Sequence, residues 1–244
     1  GQTILAPDHY YRSLRDVIEQ TIPRYFSGGE RTGVSLTGGV DSRIIMAWQR
    51  SPAGCLPCYS FGGSFRESQD VALGRKVAAA CGQQHFVIPV GDDFLSKFPR
   101  YAERSVYLTD ACTGVEHAPD LYVSERARDI APVRVTGNYG GEILRGVRAF
   151  KPEEATAGVF LPDFLTHVQH ARTTYARLAG DPPVSFAAFK QAPWYHYGLL
   201  ALEQTQLSVR APFIDNDVVR TAFCAPSSSS AKRRRITSCS RPCI

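Results

Sequence analysis

Cysteine is scarce in this sequence: there are seven among 244 residues, and the number is odd. Small secreted proteins that rely on disulfides carry a denser and even set, so the chain does not belong to that class. We therefore expect reduced thiols and a cytoplasmic location.

Long hydrophobic runs are also missing. No apolar stretch approaches the ~20 residues that a membrane-spanning helix needs. Residues 1–8 lack the basic and apolar regions of a signal peptide. The sequence thus predicts no membrane association.

The body of the chain has no excess of charge of either sign. Five of the 28 lysines and arginines fall in residues 227–244, which contain no acid, and the other 23 equal the 23 acidic residues. A neutral body offers no basic face, so binding of nucleic acid is disfavoured.

The sequence does contain an alternation of short apolar strands and amphipathic helices. Strands are predicted at residues 33–36, 56–61, 85–88 and 133–135, and helices at residues 11–23, 68–80, 93–104 and 116–129. Such alternation is typical of an α/β fold, in which a parallel twisted sheet has helices on both faces. From Leu161 onward the pattern predicts a mainly helical C-terminal part.

Three units are predicted along the chain. Residues 1–32 form an N-terminal helix and lead-in, residues 33–225 form the α/β domain, and residues 226–244 form a disordered basic tail. Two origins of the tail remain open. One is a frameshift or mis-assigned exon, which would make it artefactual, and the other is a genuine nuclear-import or nucleic-acid patch.

Glycine-rich polar loops follow three of the predicted strands, at residues 37–42, 61–63 and 136–142. Ligands of open α/β sheets bind beyond the carboxyl ends of the strands, so these loops predict one shared site.

The first loop suits phosphate groups. Gly38 and Gly39 allow a tight turn in which several N–H groups point into one concavity at a helix start. Thr37 and Ser42 add hydroxyl donors, and Asp41 can hold a magnesium ion that bridges phosphate oxygens. The spacing matches neither the P-loop nor the dinucleotide fingerprint, and an ordinary strand-to-helix turn is the alternative.

The stretch Leu36–Ser42 resembles the S-G-G-x-D-S loop of the ATP pyrophosphatases, and it is most similar to the loop in the synthetase domain of asparagine synthetase. Four further segments are similar to that family in the same order: Tyr59–Gly62, Asp70–Val77, Thr136–Glu142 and Val209–Asp215. The resemblance implies a fold like that of the adenine nucleotide alpha hydrolases.

The resemblance also implies that ATP is cleaved between its α- and β-phosphates. A carboxylate, that of aspartate in the family, is adenylated with release of pyrophosphate, and ammonia then forms the amide. Carried over residue by residue, the nucleotide contacts are Leu36, Phe61, Thr136 and Gly137. The pyrophosphate contacts are Thr37, Gly38, Gly39, Asp41 and Ser42. Mg²⁺ would be held by Asp41 and Glu142, and the catalytic residues would be Asp41, Glu142 and Tyr139.

The loop at residues 136–142 departs from the family pattern at two positions. Gly141 stands where the family has an aspartate metal ligand, so that Glu142 takes this role or the site uses one metal. The residue that handles the amine in relatives falls at Asn138 or Tyr139. Asn138 cannot act as a base, and Tyr139 can do so only with a lowered pKa.

Two arginines flank the loops, and the source of ammonia is open. Arg43 and Arg145 are candidates to bind a substrate carboxylate or phosphate, with ordinary ion pairs as the alternative. Nothing before Gly33 resembles the glutaminase domain of the family, so we expect free ammonia or a glutaminase domain or subunit outside this chain.

Two other functions remain open. The same adenylation chemistry acting on another carboxylate would close a β-lactam or peptide ring, and Asn138 and Gly141 favour this variant. A nucleotide-binding module without turnover is the other, because a metal ligand of the family is lost at Gly141.

Overall fold

The computed structural model describes residues 3–147, 155, 158–179, 183–186, 189–190, 193 and 197–226. Its sheet contains five strands, which are β1 (Thr32–Ser35), β2 (Cys58–Gly63), β3 (His85–Val90), β4 (Val133–Val135) and β5 (Ser208–Arg210). All neighbouring pairs are parallel, and the order across the sheet is β3-β2-β1-β4-β5. The predicted parallel sheet is therefore confirmed.

The described helices are α1 (Pro7–Arg24), α2 (Val40–Trp48), α3 (Gln69–Ala80), α4 (Asp92–Ser96), α5 (Phe98–Leu108), α6 (Ala118–Ile130), α7 (Gly140–Arg145), α8 (Pro162–Leu178), α9 (Pro183–Phe186), α10 (Tyr197–Gln204) and α11 (Asn216–Phe223). The described part from Leu161 onward is mainly helical, as predicted, although β5 lies within it. Beyond Pro226, the predicted basic tail lies outside the described residues.

The N-terminal helix belongs to the main core. Tyr10, Leu14, Ile18 and Ile22 recur every four residues, and each side chain is at most 1% exposed. This spacing places them on one face of α1, which packs in one cluster with residues of β1, α2 and α11. The helix begins at Pro7, four residues before the predicted start at Tyr11, because proline is well tolerated in the first turn.

The other face of the sheet has its own helical layer. Tyr59 on β2 lies in a second cluster with Leu121 of α6 and Leu202 of α10. The first cluster contains Val34 and Cys58, which are paired across β1 and β2 and point to the opposite face. Helices therefore cover both faces of the sheet, as the sequence predicts.

Pro89 does not end β3, contrary to the expectation from sequence. The strand continues to Val90, and Gly62 of β2 pairs with Pro89 in the register. β3 is the edge strand of the described sheet. An edge strand tolerates proline because one side of the strand has no neighbour that needs its N–H.

The strand order determines where a ligand can bind. The chain runs outward from β1 through β2 to β3 and then crosses to β4 on the other side of β1. A crevice forms where the order reverses, beyond the carboxyl ends of the strands. The glycine loops at residues 37–42 and 136–142 follow β1 and β4, whereas residues 61–63, which were expected to form a third loop, are the last residues of β2. All three segments therefore lie at this edge.

None of the described helices combines the length and the apolar character needed to cross a membrane. The described cysteines, which are Cys55, Cys58, Cys81, Cys112 and Cys224, are all free thiols.

Replacing Phe213 by alanine should lower the free energy of unfolding by about 3–5 kcal/mol, because this ring is 1% exposed in the main core and its loss leaves a cavity. Phe65→Ala is the matched control, because Phe65 is 99% exposed and its removal should change stability by less than about 0.5 kcal/mol. Urea unfolding of both variants measures the difference. Equal stabilities would show that Phe213 is not a core residue.

Candidate active site

The first glycine loop leaves β1 and turns directly into α2. The Ser42 hydroxyl lies 3.3 Å from the Thr37 N–H, 3.1 Å from the Thr37 carbonyl and 3.2 Å from the Gly39 carbonyl. The Gly39 N–H donates to the Thr37 hydroxyl over 3.2 Å. Because these bonds close the loop on itself, its shape is set before any ligand binds.

Helix α3 supports the same loop from the side. The Asp70 carboxylate, in the first turn of α3, accepts a hydrogen bond of 2.9 Å from the Gly38 N–H. A Cβ atom added at Gly38 would lie 2.7 Å from Leu73 of α3. Only glycine therefore allows this close contact, and Gly38 acts through packing against the helix.

The end of β1 is tied to its neighbours by Ser60. The Ser60 hydroxyl donates to the Leu36 carbonyl over 2.5 Å, and it also lies 2.8 Å from His85 Nε2. Burial is the main cause that lowers the pKa of His85, with Arg75 adding to it, which keeps the imidazole neutral. Leu36 is thereby held in place at the base of the crevice.

The glycine loop at residues 136–142 packs onto Asp41. A Cβ added at Gly137 would lie 2.8 Å from the Ser42 nitrogen, and one added at Gly140 would lie 2.7 Å from Asp41 Cγ. Tyr139 between them has a φ of 67°, the left-handed region that side chains rarely adopt. These contacts bring loops that are about 100 residues apart in sequence into direct contact.

Arg145 of α7 forms an ion pair with Asp41. Arg145 Nη2 lies 3.0 Å from Asp41 Oδ2, and the two side chains are 30% and 20% exposed. Burial raises the pKa of Asp41 above its ordinary value, and the Arg145 guanidinium opposes this rise. Among the candidates Arg43 and Arg145, only Arg145 reaches the site, because Arg43 is exposed and bonds the Gly39 carbonyl.

The glycine at position 141 explains how Arg145 reaches Asp41. A Cβ at Gly141 would lie 2.9 Å from Arg145 Nη2. Any side chain here would therefore push the guanidinium away. The family pattern has an aspartate at position 141, and the glycine here leaves room for Arg145 instead.

The residues around Asp41 fit a single magnesium ion. Asp41 Oδ1 is buried and has no hydrogen-bond partner among the described residues. Glu142 lines the same cavity as Asp41, and its charge raises the pKa of Asp41. The described part of the chain contains no group of three or more histidine, cysteine or acidic side chains that could hold a metal alone. Mg²⁺ typically uses one or two carboxylates together with substrate phosphates, which suits this arrangement.

Two adjoining cavities open at the carboxyl edge of the sheet. One, of about 540 Å³, is lined by Leu36, Phe61 and residues of α6 and α10. The other, of about 320 Å³, is lined by residues of the two glycine loops. Ser35, Thr37, Arg134, Asn138 and Leu199 line both cavities.

The sequence matches the model of a known family, and this match agrees with the fold described above. The profile of the family described as asparagine synthase matches residues 13–236, which is most of the chain. The chain belongs to the asparagine synthase family. The resemblance noted from the glycine loops is thereby confirmed, and members of the asparagine synthase family use ATP as co-substrate.

Comparison with solved structures returned more distant likenesses. One is NMN synthetase from Francisella tularensis, with 12% identity, a TM-score of 0.36, and coverage of 93% of this chain and 96% of that one. Another is the NH3-dependent NAD synthetase from Campylobacter jejuni subsp. jejuni NCTC 11168, in complex with nitrate, with 9% identity, a TM-score of 0.37, and 98% coverage of both chains. No match was found among curated proteins.

Most residues carried over from the asparagine synthase resemblance come together in the structure. The larger cavity includes Leu36, Thr37 and Phe61. The smaller cavity includes Thr37, Gly39, Asp41, Ser42, Thr136, Gly137, Tyr139 and Glu142. Gly38 lines neither cavity, because it packs against α3. Burial raises the pKa of Tyr139, which is the direction opposite to the one that a base at neutral pH requires.

The segment Val209–Asp215 joins elements together and lies away from both cavities. Arg210 Nη1 donates to the carbonyls of Tyr25 and Ser27, over 2.8 and 2.9 Å. The Asp215 carboxylate caps α11 by accepting from the Asp217 N–H, and it also accepts from the Tyr25 hydroxyl. This part of the family pattern therefore attaches the end of α1 to the sheet.

Sequence reasoning missed several polar residues of the larger cavity. Arg134 on β4, Glu203 on α10 and Tyr59 on β2 line it, as does Asp70. Asp70 lies in a segment that resembles the family, so its position carried a signal. No sequence pattern pointed to Glu203, because its contact with β4 depends on how α10 packs against the sheet.

Gly140→Ala should lower the rate of ATP–pyrophosphate exchange, which reports adenylation, by about 100-fold. The added methyl group would displace the Asp41 carboxylate, and small misplacements at a reacting centre have effects of that size. Gly29→Ala is the matched control, because nothing lies within 4 Å of a Cβ at Gly29. A Gly140→Ala protein with the exchange rate of the control would refute the tight packing of the two loops.

Proposed function

We propose that this chain is an ATP-dependent amide-forming ligase that adenylates aspartate and transfers the activated acyl group to ammonia. Membership of the asparagine synthase family supports an ATP-dependent ligase that forms carbon–nitrogen bonds. The observation that carries the proposal is the Asp41 carboxylate, which lines the smaller of the two adjoining cavities and against which the loop at residues 136–142 packs.

The larger cavity suits the nucleoside part of ATP. Its walls are mostly apolar, and Leu36 and Phe61 border it at the ends of β1 and β2. Phe61 is 47% exposed, which leaves its ring available to cover a flat base. Thr136 and Gly137 border the adjoining cavity, on the side where the ribose would turn towards the phosphates.

The smaller cavity suits the pyrophosphate. Thr37 and Ser42 contribute hydroxyl groups, and the start of α2 contributes the positive end of a helix dipole. The Arg145 guanidinium adds a fixed positive charge. Mg²⁺, when held by Asp41 and Glu142, would add charge that stabilises the leaving pyrophosphate.

The reaction needs two substitutions. In the first, a carboxylate oxygen bonds to the α-phosphorus, and the bond between that phosphorus and the β-phosphate bridging oxygen breaks. In the second, the amine nitrogen bonds to the carbonyl carbon, the bond to the AMP oxygen breaks, and the nitrogen releases one proton to water. The side chains act by positioning and by charge neutralisation, since neither step needs a covalent intermediate on the protein.

One observation favours a carboxylate substrate other than aspartate. Asn138 lines both cavities, and either Asn138 or Tyr139 falls at the position at which relatives handle the amine. A neutral amide there is compatible with a bulkier substrate that carries its own amine and closes a ring. The exchange assay with a panel of carboxylates distinguishes the two candidates.

Asp41→Asn should abolish ATP–pyrophosphate exchange that depends on Mg²⁺ and aspartate, with a loss of at least about 100-fold, because the amide removes the charge that pairs with Arg145 and holds the metal. Asp129→Asn, at an exposed position of α6, is the matched control and should retain the wild-type rate. Exchange that persists in Asp41→Asn would refute the assignment of the site.

The wild-type protein tests the proposal itself. Exchange with aspartate supports the asparagine-forming reaction, and exchange only with another carboxylate supports the second candidate. No exchange with any carboxylate would refute an adenylating ligase and leave a module that binds nucleotides without turnover.

A further inference from the structure

A cluster of polar side chains lies on the floor of the larger cavity. Ser35 of β1 and Tyr59 of β2 are paired in the register and share a face of the sheet with Arg134 of β4. Arg134 Nη1 lies 2.7 Å from Glu203 Oε1, and Arg134 Nε donates to the Ser35 hydroxyl over 3.0 Å. Glu203 reaches this cluster from α10, which covers that face.

Two polar atoms of the cluster have no partner among the described residues. These are Glu203 Oε2 and the Tyr59 hydroxyl, on residues that are 5% and 2% exposed. Both residues line the cavity. Buried polar atoms are nearly always hydrogen-bonded, so a pair of orphans on two residues that line one cavity indicates a ligand group that completes them.

The chemistry of the cluster selects a ligand with N–H groups. Glu203 accepts from Arg134 through one oxygen, and its second oxygen is a free acceptor. Burial raises the pKa of Tyr59 to about 12, so this hydroxyl stays protonated and can accept a hydrogen bond as well as donate one. An ammonia molecule can donate to both oxygens and keep its lone pair for attack.

The two loop residues that fall where relatives handle the amine do not suit that role in the proposed reaction. Asn138 cannot take a proton from an amine, and the raised pKa of Tyr139 disfavours its acting as a base. Glu203 lines the same cavity as Asn138, and its partner Arg134 extends to the junction with the second cavity.

We propose that Glu203 Oε2 and the Tyr59 hydroxyl form the subsite for the attacking amine, and this inference rests on the proposed function. The subsite holds ammonia by two N–H bonds beside the junction of the cavities, where the acyl-adenylate carbonyl forms. Arg134 is a positioning residue, because it fixes the orientation of the Glu203 carboxylate.

The test separates adenylation from amide formation. Glu203→Gln keeps the size of the side chain and an oxygen for Arg134, but it turns an N–H donor towards the cavity. The KM for ammonium chloride in amide formation should rise about 10-fold or more, a larger factor than any change in the KM for ATP in ATP–pyrophosphate exchange. Tyr59→Phe should raise the same KM about 3-fold and leave thermal stability unchanged, since the hydroxyl has no partner among the described residues.

Glu103→Gln is the matched control, because Glu103 is exposed on α5. An unchanged KM for ammonium in both cavity variants would overturn the subsite. A loss of ATP affinity, or of discrimination between ATP and ITP, would also overturn it and assign the cluster to the purine amino group. If Glu203→Gln fails to fold, Tyr59→Phe decides by the same KM. Absence of exchange in the wild-type protein would instead overturn the proposed function, and the subsite with it.

Discussion

The close contact between two glycines and Asp41 is the constraint on which the site depends. Gly137 and Gly140 leave no room for a Cβ atom against the first loop, so the loops after β1 and β4 pack as one unit. These loops are neighbours only because the strand order reverses between β1 and β4. A bulkier residue at either position would push the loop after β4 away from the first loop and from Asp41.

Two carboxylates of the site share one arrangement. Asp41 and Glu203 each pair one oxygen with an arginine, and the other oxygen is buried without a partner among the described residues. The arginine offsets part of the free energy lost when the carboxylate leaves water, and the second oxygen stays available. A buried oxygen that lacks a partner costs stability, and the proposed function gives each of these oxygens a ligand group to bind.

Local sequence predicted the strands, the glycine loops and most residues that line the smaller cavity. These predictions succeeded because strand and helix periods, and the backbone freedom of glycine, are local properties. The sequence predicted β3 but not its continuation through Pro89, since tolerance of proline depends on being at the sheet edge. It missed β5, because three residues carry little pattern. The segment Val209–Asp215 marked the family correctly, but its side chains fasten α1 and α11.

The sequence alone determined the class of fold, the family and the tight first glycine loop, because each is written in consecutive residues. Only the tertiary structure decided that Arg145 occupies the space left by Gly141, and that Glu203 meets Arg134 and Tyr59. These contacts join residues far apart in the chain through the packing of α7 and α10 against the sheet. Partners of this kind depend on distances in space, which no pattern of neighbouring residues encodes.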